Sequence, residues 1–194
     1  MKAAKSKIIG LLLVSLVVAM FAIPAMPAQA KYVYVDFYRY DISKYEETAY
    51  MKGYDKNGNQ LWYYQCGFYE KAQMPRITWI GINDGKVYFI EDGDVVALDL
   101  ETGYEKWRNT KFGGVPTDKA HVFSSTGKLY LSGYYGLDFF VVDKNGKTVG
   151  KKSKVSDSKT YWPDKIWFTH GDYMKIHFSS NNKTVEFDVT KYFY

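Results

Sequence analysis

The 194-residue chain has one cysteine, Cys66, three histidines and five prolines, two of them within the first thirty residues. A single thiol excludes both a disulfide framework and a thiol-rich zinc or iron–sulfur centre, since each needs several. His121, His170 and His177 are too scattered for a metal motif or a Ser-His-Asp arrangement, so no metal ligand and no catalytic residue is assigned. Of the three, only His170, in Thr169-His170-Gly171, is expected at the surface. No carboxylate pair stands apart from the turn aspartates as glycoside hydrolysis would require. Excess charge of one sign is also missing. Lys2, Lys5 and Lys7 belong to an acid-free N-terminal stretch, and the remaining 23 basic residues face 21 acidic ones. So neutral a body excludes nucleic acid as the partner, because that affinity rests on neutralising phosphates.

What is present begins at the N-terminus. The three lysines precede an apolar run from Ile8 to Ile23, which is broken by Pro24 and Pro27 and closed by Ala28-Gln29-Ala30. This is the pattern of a secretory signal peptide with a small-residue cleavage site. The expected organisation is a signal over 1–30 and a single domain over 31–194, exported to the periplasm, the cell surface or the medium. No membrane span is expected after cleavage, and without a cysteine at the cut no lipid is attached there. Cys66 is then an odd thiol with no base partner in sequence, expected to be buried and structural.

Self-similarity decides the architecture of the chain beyond the signal. Asp55, Asp99 and Asp143 each open a tight turn and recur every 44 residues, with Asp188 following 45 later. Gly85, Gly127 and Gly171 precede alternating apolar runs at spacings of 42 and 44. An aromatic or apolar residue follows each turn, as Leu61-Trp62, Lys106-Trp107 and Thr148-Val149. Pro75, Pro116 and Pro163 each lie at a strand entry, where a missing ladder donor does least harm. Within a unit every segment reads as strand: Lys86–Ile90 and Val95–Asp99 flank Asp92-Gly93, a hairpin signal, and Tyr104–Asn109 follows the next turn. Four strands in about 40 to 45 residues is the dimension of a propeller blade. Unbroken apolarity in Val95-Val96-Ala97-Leu98 predicts a sheet covered on both faces. The expected fold is therefore all-β, a β-propeller of about four four-stranded antiparallel blades. It forms either a compact ring or an incomplete one, an open arc whose ends need cover from a partner or a second copy.

One unit carries a family resemblance. Asp84-Gly85-Lys86-Val87-Tyr88-Phe89, Asp92-Gly93-Asp94, Ala97-Leu98-Asp99, Thr102-Gly103 and the Trp107-bearing last strand together resemble the quinoprotein-like propeller repeat. The units around Tyr50–Tyr64 and Gly127–Lys152 match it in part, and the last matches in spacing alone. The resemblance implies the fold. It implies activity much less, because the family holds quinone-dependent dehydrogenases beside cofactor-free scaffolds and binding proteins. The dehydrogenases close eight blades and use a catalytic aspartate, calcium ligands and often a vicinal cysteine pair, none of which can be placed here. No cofactor is assigned, and the chain reads as a non-catalytic branch of that family.

Two features bear on a site. Asp55-Lys56-Asn57-Gly58-Asn59 alternates oxygen side chains as a calcium loop does, but Asp143-Lys144-Asn145-Gly146-Lys147 places lysine at the third ligand position and no glutamate follows. Both are expected to be structural turns. The aromatic content is 19%, with tyrosines crowding the first unit. Most tyrosines in strands are packing. Those in connections differ: in this family the links from one blade's outer strand to the next blade's inner strand, together with each blade's first hairpin, line one face of the disc. That face would carry Phe68, Tyr69, Tyr134, Tyr135, Tyr161 and Trp162 beside Lys111, Lys151 and Lys152. Rigid aromatics with few charges suit a protein or glycan ligand. The sequence therefore reads as an exported binding or scaffold protein, with a reduced quinoprotein-like enzyme or a self-assembling half-propeller dimer as alternatives.

Overall fold

The computed structural model describes residues 33–71, 76–110, 116–133, 138–153, 163–170 and 173–191. The expected signal segment lies outside them. All described strands belong to the compact unit Tyr32–Tyr194.

Every described element but one is a strand. The first sheet holds β1 (Val33–Asp41), β2 (Glu46–Asp55), β3 (Gln60–Gln65) and β4 (Tyr69–Glu70). The second runs in order β5 (Ile77–Asn83), β6 (Lys86–Glu91), β7 (Asp94–Asp99) and β8 (Glu105–Asn109). β9 (Pro116–Phe123), β10 (Leu129–Gly133), β11 (Asp138–Val142) and β12 (Thr148–Ser153) form the third, again in sequence order. The fourth has three strands, β13 (Pro163–His170), β14 (Tyr173–Phe178) and β15 (Lys183–Asp188), followed by a 3-10 turn at Val189–Lys191. All pairings are antiparallel, so the molecule is a β-propeller of four blades.

Local chemistry explains the punctuation. Pro116 and Pro163 are the first residues of β9 and β13, as expected, while Pro75 falls just outside the described residues ahead of β5. Asp84-Gly85 and Asp92-Gly93 are two-residue hairpin loops with both residues at positive φ, 47° and 66° in one and 50° and 89° in the other. That backbone matches the strand twist and is why the pair is Asp-Gly.

Three of the four sheets hold four strands, and in the middle two these run in sequence order. In the first blade β1 pairs along one edge of β2, so β3 and β4 must share the other: β3 pairs with Tyr50–Tyr54 and β4 with Glu46 and Glu47. β4 thus prolongs the line of β3, and the sheet is three strands wide. By its turn aspartate, β2 corresponds to β7, so this blade shows no innermost strand among the described residues. The fourth blade shows no outer strand among the described residues.

Apolar residues alternate across each sheet and build three interfaces. Val87, Phe89, Val96 and Leu98 of the second sheet pack on Ala49, Met51, Trp62 and Cys66 of the first. From its other side Tyr88, Ile90, Val95 and Ala97 pack on Leu129, Leu131, Phe140 and Val142 of the third. Tyr130, Phe139 and Val141 then meet Ile166, Met174, Ile176 and Phe178 of the fourth. Val95 to Leu98 are wholly buried, as a sheet covered on both faces demands. Among the described residues no such cluster joins the fourth sheet to the first, and these residues form an open row of blades.

Tryptophan ties successive blades. Trp62 lies between Gly53 of its own sheet and Gly103 in the turn of the next, where an added Cβ would come within 2.1 Å and 2.6 Å of its ring, and it donates its indole N–H to Leu100 O at 2.8 Å. Trp107 does the same one blade on: it pairs with Ala97, covers Gly146 so that a Cβ would be 2.4 Å away, and donates to Lys144 O at 3.1 Å. The periodic turn glycine and the periodic tryptophan are two halves of one contact.

Candidate functional site

Chain direction places the link from an outer strand to the next inner strand at the same end of the blades as the β6–β7 hairpin. The β5–β6 turn, the first of its blade, lies at the opposite end, so the second hairpin shares the aromatic rim rather than the first. At this rim Phe68 is 67% exposed, in the connection leading into β4. Tyr69 turns inward instead. It packs against the first interface and hydrogen-bonds Glu91, and burial together with that carboxylate holds its hydroxyl far above the usual phenol range. Tyr134, Tyr135, Tyr161, Trp162 and Lys111 lie outside the described residues, as does the side chain of Lys152. Lys151 is exposed, its ammonium 5.3 Å from the Phe140 ring centre.

Sequence reasoning missed part of the rim. The β1–β2 hairpin brings Tyr40, Ile42 and Tyr45 there, Tyr45 being 69% exposed. The Lys71 N–H bonds Tyr45 O at 2.8 Å, and the Lys71 ammonium meets Asp41 at 2.8 Å, which ties the Phe68 connection to this hairpin. The signal was available: Tyr45 follows Asp41-Ile42-Ser43-Lys44, a polar break between two strand patterns.

Under the rim is a polar network built on Glu91, a buried carboxylate. One oxygen accepts the Gly67 N–H at 2.7 Å and the other meets Arg108 at 2.7 Å. Arg108 also holds Glu105 at 2.9 Å, reaches Asp94 at 3.6 Å and donates to the Tyr64 hydroxyl at 3.1 Å. Both oxygens of this carboxylate are engaged, one by the connection between the first two blades and the other by Arg108 of β8. Cys66 sits beside it, buried, and burial with the neighbouring charge pushes its thiol far up, so it is a packed group and not a nucleophile. Near the same end Glu47, also buried, accepts the Arg76 N–H at 2.6 Å at the entry to β5.

The remaining candidates resolve as structure. Asp55 accepts the N–H groups of Asn57 and Asn59 at 2.8 and 2.9 Å, and Asp143 those of Asn145 and Lys147, both at 2.9 Å. These are side-chain-closed turns, as expected. His170 is exposed and stacks on Tyr173 at 4.7 Å. His177 meets Asp164 at 2.7 Å and Asn182 at 3.1 Å; bonds to both acceptors raise its pKa.

The outward face of the first sheet is lined with tyrosine. Tyr34 stacks on Tyr54 (5.1 Å, 16°) and Tyr38 on Tyr50 (5.6 Å, 14°), while Tyr63 lies 5.8 Å from Tyr50. Asp36 is the cross-strand neighbour of Lys52 between the two stacked pairs. The outward face of the fourth sheet carries the cross-strand pairs Lys175–Glu186, bridged at 3.7 Å, and His177–Thr184.

The sequence matches no protein-family model and no curated protein sequence. Solved structures with similar folds include an Hsv2 with loop 6CD replaced by a Gly-Ser linker, at TM-score 0.52 and 11% identity over 84% of this chain and 52% of that one. Hsv2 of Kluyveromyces marxianus aligns at TM-score 0.51 and 11% identity, covering 83% of this chain and 50% of that one. Hsv2 of Kluyveromyces lactis gives 0.50 and 12%, covering 79% and 48%. The chain spans about half the length of these proteins, and what it shares with them is the fold, the β-propeller.

Proposed function

We propose that the chain is an exported, non-catalytic β-propeller of the quinoprotein-like repeat type that binds a protein partner at the aromatic rim of its first blade. The observation that carries this reading is the joint exposure of Tyr40, Ile42, Tyr45 and Phe68 on two connections tied together by Lys71. Exposed apolar side chains on short, anchored loops are the chemistry of a protein contact. The groups most like catalytic machinery are otherwise engaged, Glu91 by Arg108 and Gly67, and Cys66 by burial. A glycan is the weaker ligand class, because sugars stack on open ring faces. On the neighbouring sheet face the rings of Tyr34 and Tyr54, and of Tyr38 and Tyr50, stack on one another, so in each pair one face of each ring is already taken. The repeat reading is supported by the roles of its markers, since Trp62 and Trp107 of the outer strands seat on the glycines of the following Thr-Gly and Asn-Gly turns.

The test is affinity enrichment of extracellular proteins on the immobilised chain beside a glycan array, repeated with a Phe68→Ser, Tyr45→Ser double variant. Both positions are exposed, so the variant should fold unchanged. A defined protein retained by the wild type and lost by about tenfold or more in the variant is expected. Retention unaffected by the variant, or glycan binding that replaces it, would overturn the reading. Export is tested by the N-terminus of protein recovered from the medium of a secreting host, which should be Lys31.

A further inference from the structure

The turn between β2 and β3, Asp55-Lys56-Asn57-Gly58, repeats the four residues of the turn between β11 and β12, Asp143-Lys144-Asn145-Gly146. The backbones agree as well. Gly58 and Gly146 sit at φ 82° and 84°, and each donates its N–H to its own turn's aspartate carbonyl at 3.0 Å. Over Gly146 lies the Trp107 ring, with its N–H on Lys144 O, and over Gly103 lies Trp62 with its N–H on Leu100 O. Both carbonyls belong to the residue just after the turn aspartate. Among the described residues no ring lies over Gly58: a Cβ there would meet only the Tyr34 hydroxyl, 3.9 Å away.

We infer that this first turn is a seat for a tryptophan carried on an extended strand of another polypeptide, the ring laid on Gly58 and the indole N–H given to the Lys56 carbonyl. The occupant is a tryptophan because the two filled seats each pair a bare glycine with a carbonyl at indole N–H distance, and a buried indole needs that acceptor. It comes on a strand because β3 and β8 deliver Trp62 and Trp107. A second copy is the poorer occupant. Among the described tryptophans Trp62 and Trp107 fill their own seats, Trp79 packs on Phe37, and Trp167 carries the Lys165 ammonium over its ring. The seat lies at the opposite end of the strands from Phe68 and Tyr45, so it stands or falls independently of the rim.

A peptide with the sequence of Tyr104–Thr110, which includes the strand that fills the equivalent seat on the third blade, is the probe, compared with the same peptide carrying Trp107→Ala. Amide shifts of the full chain should change at residues 55–59 and Tyr34, with a blue shift of the peptide's tryptophan emission, and the alanine peptide should bind at least about tenfold more weakly. Gly58→Asn should abolish binding while lowering the melting temperature only slightly, because asparagine adopts positive φ more readily than other side-chain-bearing residues but puts a side chain where the ring would lie. Equal binding of the two peptides, shifts centred elsewhere, or no shift at several millimolar peptide would overturn the inference. The peptide comparison uses the unaltered protein and does not depend on the variant folding.

Discussion

The second blade and the two end blades use the same cross-strand pairs for opposite purposes. On the side facing the first sheet, the second blade sets Val87 opposite Leu98 and Phe89 opposite Val96. Counted from their turn aspartates, the same pairs on the outward side of the first blade are Tyr34 opposite Tyr54 and Asp36 opposite Lys52. On its other side the second blade has Tyr88–Ala97 and Ile90–Val95, where the outward side of the fourth blade has Lys175–Glu186 and His177–Thr184. Backbone and register are kept while apolar pairs become stacked phenols, an ion pair and other polar pairs. An array of stacked repeats needs end units that tolerate water, and these exchanges supply them. Exposed edges and faces invite association, and charge and hydroxyl groups on them oppose it.

Moving a residue across the comparison should give the largest effect. Val96→Lys, which places in the second blade the residue its equivalent has in the first, buries an unpaired ammonium and should cost about 4 kcal/mol or abolish folding. The reciprocal Lys52→Val should change stability by no more than about 0.5–1 kcal/mol. Urea unfolding of both variants measures this, and similar losses in the two would erase the distinction between middle and end.

The tryptophan seats come next. Trp107→Ala should cost about 3–5 kcal/mol by opening a cavity between blades and leaving the turn glycine uncovered. By contrast, Gly58→Asn, at the unfilled seat, should be close to neutral, and Gly146→Asn should be destabilising because the side chain meets the Trp107 ring. Equal melting temperatures for the two glycine variants would show that Trp107 contributes nothing to the junction.

The Glu91 network should follow. Glu91→Gln keeps the size and loses the charge opposite Arg108, which is partly exposed and can rehydrate, so a loss of about 1.5–3 kcal/mol is expected from chemical denaturation. Cys66 should stay unmodified by a thiol reagent until the chain unfolds, and prompt labelling in buffer would contradict its packing.

The smallest effect lies at the far end. Both nitrogens of His177 face acceptors, Asp164 and Asn182, a geometry that suits the protonated ring and raises its pKa in the folded chain. A raised folded pKa means that the stabilisation is fully present below the unfolded imidazole pKa and is lost as pH rises through the folded one. A proton NMR titration should show a midpoint above the ordinary imidazole value, returning toward it in Asp164→Asn. A midpoint at or below that value would sink the assignment.

Much of the fold was legible in sequence because its markers act locally. An Asp-Gly loop needs positive φ, a proline needs a strand entry, and an Asp-x-Asn-Gly turn closes on its own carboxylate, all within a few residues. The tryptophan period was visible too, but its reason was not, since Trp62 and Gly103 meet across blades at 41 residues' separation. The rim was half legible. Phe68 is exposed as expected, whereas Tyr69 is claimed by Glu91, 22 residues on, which no local pattern reveals. The outward tyrosines were written in the alternation of Val33-Tyr34-Val35-Asp36-Phe37-Tyr38, with apolar residues on one face and Tyr34, Asp36 and Tyr38 on the other. Reading strand tyrosines as packing hid them, because that rule presumes a neighbouring blade and the first sheet has none on that side among the described residues.

The most direct test of an open row with two water-facing ends is the mass of the purified chain by light scattering across a hundredfold range of concentration. A single-chain mass throughout is expected. A dimer, above all one that dissociates on Tyr38→Lys in the first sheet, would contradict it and show that the tyrosine face is covered by a second copy.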